Sequence, residues 1–138
     1  MNLSEAATRF REIAADCKAS LALDAAKAAA DVALVALQDA TPVLTGALRR
    51  SEHVDTVFGD GEHATAILAP HIIYADFRDR GGTISSKGPW SLHNAGTGQY
   101  FGRHVTQAGS HYMQRGEDAG RGPAREAIAE VAARYISL

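Results

Sequence analysis

Thr41-Pro42-Val43-Leu44-Thr45-Gly46-Ala47-Leu48-Arg49-Arg50-Ser51 stands where an alanine-rich helical pattern stops and strand-like alternation begins. Pro42 holds its own φ, lacks an N–H and disfavours helix at Thr41, so the upstream helix ends here. Thr45 then offers a side-chain oxygen as N-cap for a short turn through Leu48 and Arg49. The stretch is a joint between two kinds of structure and carries no catalytic pattern.

Upstream of the joint, Leu3 to Ala40 contains neither Gly nor Pro. Apolar residues recur at Leu3, Ala6, Phe10, Ile13 and Cys17, slip by one residue, and resume at Leu21, Ala25, Ala28, Val32 and Val35. That spacing predicts a helix, roughly 55 Å long at about 1.5 Å per residue, with a bend or change of contact face between Cys17 and Leu21. Part of such a rod packs on a neighbouring chain, or the whole of it lies along its own sheet.

Downstream, His53–Phe58 and His63–Ala69 are β-branched or alternating, and Gly59-Asp60-Gly61 between them predicts a tight turn with positive φ. Pro70 closes the second strand. His71 to Phe77 reads as a short helix or turn, with Tyr74 and Phe77 on one face as core anchors or as an exposed patch.

Ten of the thirteen glycines fall between Gly81 and Gly122, interleaved with Trp90, Tyr100, Phe101 and Tyr112. So much glycine argues against a regular helix, and the aromatic rings argue against plain disorder. The expectation is a protruding arm over residues 81–122 that orders against a partner, with Tyr100 to Thr106 as its best strand. Trp90, Tyr100, Phe101, Arg103 and Tyr112 are its candidate interface residues. From Pro123, as first helical residue, Ala124, Ile128, Val131, Ala132 and Tyr135 form one stripe of a C-terminal helix covering the sheet. The predicted class is α+β: one domain over 1–138, two long helices on a small antiparallel sheet, and an extended glycine-rich arm.

Composition narrows the function. The apolar fraction is 46%, the charged fraction 22% and the formal net charge −2, so no basic field drives tight binding to nucleic acid. Arg49, Arg50 and Arg103 would make only weak, non-specific phosphate contacts. The single cysteine, Cys17, excludes an intrachain disulfide and reads as a buried thiol made in a reducing cytoplasm. No run of about 18 apolar residues predicts a membrane span, and no secretory leader is evident. The six histidines lack metal-ligand spacing, the serines lack a nucleophile-elbow context, and Glu117-Asp118 reads as a solvated pair beside Arg115 and Arg121. Neither enzyme activity, cofactor nor metal is expected.

Three blocks resemble the head-to-tail connector family of long-tailed phages, the small neck and tail-completion proteins. The joint is similar to that family's proline, Thr-Gly, Leu-Arg, Ser pattern, carried by Pro42, Thr45, Gly46, Leu48, Arg49 and Ser51. Tyr74-Ala75-Asp76-Phe77 leading into Gly81-Gly82-Thr83-Ile84 resembles its Tyr-Ala segment running into glycine, although Asp79-Arg80 stand where the family has Glu. Tyr112-Met113-Gln114-Arg115-Gly116-Glu117-Asp118 is similar to versions in phages of actinobacteria, with Gly122-Pro123-Ala124 replacing the usual Pro-Phe. The order of the blocks carries the specificity. The resemblance implies an α+β ring subunit in the virion neck, assembled in host cytoplasm, with six copies or alternatively twelve. Its partners would be itself and adjacent neck proteins (adaptor, head-closure or stopper, tail terminator), with DNA only passing through the lumen and no membrane. A tail terminator at the top of the tail tube, or a non-viral soluble adaptor binding a peptide or small ligand through residues 81–122, are the alternatives.

Overall fold

The glycine-free run builds one continuous helical rod: α1 (Leu3–Asp16), a π-helical turn (Cys17–Leu21) and α2 (Ala22–Ala40). The computed structural model describes residues 2–43, 45–89, 91–93 and 97–137. Asn2 opens the rod with a capping box, its side chain accepting from the Glu5 N–H while the Glu5 carboxylate accepts from the Asn2 N–H. The π turn falls where the apolar pattern slips, because one extra residue per turn re-phases the stripe. Two other elements fasten to it. The Tyr135 hydroxyl bridges Ser20 and Asp24, and Gly61 of the hairpin tip lies so close that a Cβ there would fall on the Lys18 carbonyl oxygen.

Thr41 ends the rod in extended conformation, as the following proline requires. Gly46, at φ 76°, leads into α3 (Ala47–Ser51), and Thr45 Oγ1 accepts from the Ala47 N–H at 3.3 Å. The hairpin follows as β1 (Glu52–Gly59) and β2 (Ala64–Pro70), antiparallel, with an irregularity between Val54 and Thr56. Its turn is made differently from the sequence expectation. Neither Gly59 nor Gly61 has positive φ; instead Asp60 Oδ1 accepts from the N–H groups of Glu62 and His63, both at 2.8 Å, in an Asx-type turn. Those two bonds hold the Asp60 carboxyl below its usual pKa.

The short element after Pro70 is α4 (Ala75–Arg80), from which the chain enters β3 (Gly81–Ser85). β3 pairs with β6 (His104–Ala108), and β4 (Leu92–His93) pairs with β5 (Tyr100–Phe101) farther along the same excursion. The sheet is therefore three separate two-stranded ladders. The predicted strand from Tyr100 to Thr106 is interrupted at Gly102-Arg103.

The largest departure is the last helix. α5 runs from Tyr112 to Ile136, so Pro123 is interior and Gly116, Gly120 and Gly122 are helical residues, not part of an arm. For Gly116 and Gly120 the reason is tertiary. A Cβ at Gly116 would stand 2.8 Å from Leu37 Cα, and one at Gly120 would stand 3.3 Å from Ala33 Cα, so these glycines let α5 press its backbone against α2. Gly122 relieves the clash that a side chain before Pro123 would cause in a helix. α5 thus packs along α2, which in turn covers the β1–β2 hairpin; the expected helix-on-sheet contact is made by α2. Asp79 supplies the missing cap of α5, its carboxylate accepting from the Met113 N–H at 3.0 Å, a favourable place for negative charge.

Candidate interaction surface

The core sits at the joint. Leu37, Leu48, Ala75 and Tyr112 form its buried cluster, with Leu68, Ile72 and Met113 packed around them. Each block of the phage-neck resemblance contributes one of these four: Leu48 from the first, Ala75 from the second and Tyr112 from the third. Tyr112 is 0% exposed, so its sequence-based assignment to a subunit interface is corrected: it is the anchor of its own fold. The reason is α5's early start, which turns this ring inward.

The remaining motif residues cluster beside the core. Pro42, Thr45, Gly46, Leu48 and Tyr74 line one small cavity of about 150 Å³. Ser51 Oγ donates to the Leu48 carbonyl at 2.7 Å and closes α3. Tyr74 is exposed, leaving its neighbour Ala75 as the buried anchor, while Phe77 is half-buried with its ring over Gly82.

A polar group absent from the sequence expectations lies at the same joint. Glu52, first residue of β1, is 3% exposed; the Thr41 hydroxyl lies within hydrogen-bond distance of one carboxylate oxygen and of the Leu37 carbonyl, and its single proton serves one of the two at a time. The other oxygen, together with Arg49 Nε and the Tyr112 hydroxyl, is buried without a hydrogen-bond partner among the described residues. Burial raises the Glu52 pKa against the opposing Thr41 hydrogen bond and Arg49 charge. Burial likewise pushes the Tyr112 phenol up to about 12, with the charges of Glu52, Asp79 and Asp76 adding to it. No sequence signal marks Glu52, because a glutamate opening a strand ordinarily faces water.

Between α4 and α5 the ribbon carries most of its side chains in solvent. β3 has four of its five residues exposed, and β6 likewise has four of five exposed. Thr83 and Thr106 are hydrogen-bonded at 2.8 Å across the ladder, and Ser86 N–H donates to the Arg103 carbonyl at 2.8 Å. Tyr100 is 72% exposed with its ring 4.6 Å from that of His93; Phe101 is half-buried and Arg103 exposed. Trp90 lies outside the described residues. An isolated two-stranded ladder is marginal in water, so these exposed strands and rings are ready to gain from a partner surface.

Two further apolar features were not legible one residue at a time. α1 meets only the last residues of α5, where Ala6, Phe10 and Ile13 share a recess with Ile136, so Leu3 stays 91% and Phe10 72% exposed and none of its residues is buried. An open groove of about 960 Å³ runs between α2 and α5, floored by Val32, Val35, Ala36, Ala119 and Pro123. Cys17 is half-buried in the π turn. Among the described residues, no three His, Cys, Asp or Glu side chains gather as a metal site, and no helix is long and apolar enough to cross a membrane.

These features define an α+β protein whose helical pair and hairpin hold an exposed ribbon. Comparison with protein-family models, curated proteins and solved structures finds no match to this chain.

Proposed function

We propose that this chain is a non-enzymatic structural subunit of the head-to-tail connector of a long-tailed phage, forming a ring that joins the DNA-filled head to the tail. The observation that carries the reading is the meeting of Leu48, Ala75 and Tyr112 in one buried cluster. Three short blocks that resemble the neck family by their order along the chain thereby supply three of the four residues of that cluster, the fourth being Leu37 of α2. The exposed ribbon between the second and third blocks gives such a subunit its reach toward a neighbouring copy or an adjacent neck protein. Head-to-tail contacts that close on themselves make a ring, of six copies on this reading, with DNA passing through the lumen and touched weakly.

The test is made on the particle encoded with this chain. Disrupting its gene leaves filled heads and finished tails unjoined, and a density map of intact particles places the chain as a ring between portal and tail. A ring at the top of the tail tube identifies a tail terminator instead. Infectious particles formed without the chain overturn the assignment.

A further inference from the structure

The β3–β6 ladder carries backbone groups on both outer edges that no other strand takes up, and their positions follow from its register. The strands pair residue for residue from Gly81 with Ala108 to Ser85 with His104, and Ser86 N–H donates to the Arg103 carbonyl at 2.8 Å. Opposed residues of an antiparallel pair alternate between exchanging both backbone bonds and exchanging none. Ser86 opposite Arg103 is of the first kind, and so are Ile84 opposite Val105 and Gly82 opposite Gln107. Thr83 and Ser85 on β3, and His104 and Thr106 on β6, therefore turn their N–H and C=O groups outward. All four residues are exposed, and among the described residues no backbone hydrogen bond from outside the ladder reaches those groups.

Proteins ordinarily protect such edges with charged residues, Pro or a bulge. The β1–β2 hairpin does so: β1 is irregular between Val54 and Thr56 with Asp55 at that point, and β2 ends on Pro70. β3 and β6 contain no Lys, Arg, Asp, Glu or Pro, and their register runs without a shift.

The two edges complement each other. Set against a second copy in the register already used within the chain, Thr83 meets Thr106 and Ser85 meets His104, where both sides present free N–H and C=O groups. The same side-chain pairs bond inside the chain, Thr83 Oγ1 with Thr106 Oγ1 and Ser85 Oγ with His104 Nδ1, each at 2.8 Å. On the opposite face Ile84, 44% exposed, meets Val105. We propose that β3 of one copy pairs antiparallel with β6 of the next, continuing one sheet from copy to copy. A β3-to-β3 or β6-to-β6 contact leaves one edge of each copy bare, whereas the head-to-tail contact uses both and closes into a ring with none. Strand addition of this kind takes affinity from the main chain and specificity from alternate side chains. The inference rests on the ring reading above and names its interface.

Cross-linking of the full chain tests it. With Cys17→Ser as background, one preparation carries Thr83→Cys and another Thr106→Cys, so any 83-to-106 disulfide joins two copies. Both native side chains are exposed. Opposed residues of a hydrogen-bonded pair lie about 5.5 Å apart at Cα, within disulfide reach. Mixed under mild oxidation, in concentrated solution and in particles grown with both variants, they give an 83-to-106 dimer, and neither alone gives an equal yield. Adding Ser85→Pro to the first removes an outward N–H that the chain's own ladder does not use. The yield falls about tenfold, the scale of one or two lost backbone bonds. Ser85→Ala loses the same hydroxyl, keeps the N–H and retains the yield.

Disulfides only between two copies of residue 83, or of residue 106, overturn the head-to-tail pairing, as does a link from either residue to a different polypeptide of the particle. Equal yields from Ser85→Pro and Ser85→Ala also overturn it, because the main chain would then not carry the contact. Particle composition is read separately. An 83-to-106 link in solution with the chain missing from particles refutes the neck assignment alone, and a neck ring without this link refutes the interface alone. No link in either setting overturns the interface.

Discussion

Tyr112 and Glu52 are both buried at the joint, each with an oxygen that finds no hydrogen-bond partner among the described residues, and that makes them informative single residues. A buried hydroxyl without a hydrogen bond carries its desolvation cost uncompensated, so Tyr112→Phe leaves thermal stability unchanged or raises it. Tyr112→Ala, by contrast, empties the centre of the core and costs about 3–5 kcal/mol, read by denaturant unfolding of the isolated subunit. An exposed interface tyrosine would show no such loss on truncation to alanine. Glu52 makes a pH prediction. Its folded pKa is raised by burial, so the native state holds a proton that the unfolded chain has already released. The stability this proton contributes is present below the ordinary carboxylate pKa and is lost as pH rises through the folded value. Glu52→Gln keeps an acceptor for Thr41 and removes the charge. Its melting temperature exceeds the parent's at neutral pH, and the gap closes in acid; a gap that widened in acid would contradict the assignment.

At the scale of elements, the α2–α5 contact decides whether the helices can approach. Gly116 meets backbone, since its added Cβ would stand 2.8 Å from Leu37 Cα, and backbone cannot step aside. Gly120 meets Ala33 and Ala36 at 3.3 Å, where a small shift suffices. Gly116→Ala is therefore destabilising by about 1–3 kcal/mol in spite of the better helix propensity. Gly120→Ala stays within about 1 kcal/mol of the parent, because the propensity gain offsets the crowding. Calorimetry of the two variants gives that order; the reverse order would mean that α5 does not cross α2 at Gly116. The same contact explains why residues 112–122 read as an arm. Glycine density along a chain argues against helix through local entropy, and here close approach of a second helix outweighs it.

Across the whole molecule, the rod, hairpin and α5 share one core, while the ribbon from Gly81 to Ala108 hangs from α4 and the start of α5. Ser85 and His104 are partners in the β3–β6 register, so a two-residue Asn-Gly turn can join them in place of residues 86–103. That replacement changes the melting temperature by no more than about 4 °C, while abolishing whatever the exposed Tyr100 and half-buried Phe101 bind. Loss of cooperative unfolding would make the ribbon part of the core.

What could be read along the chain was whatever acts over a few residues. Pro42 ends the rod through its own ring, the glycine-free run makes the rod continuous, the slip after Cys17 becomes a π turn, and alternation from His53 to Ala69 becomes the hairpin. The phage-neck resemblance, too, is a matter of order along the chain. Tertiary structure alone decided that Gly116 and Gly120 are helical, that Tyr112 is an anchor instead of a contact, and that Glu52 is buried. Each of those depends on Leu37, Ala33 or Thr41 arriving from the far side of the joint. No local preference encodes the distance of closest approach between two helices, and that distance is what sorts a glycine into a helix or an arm.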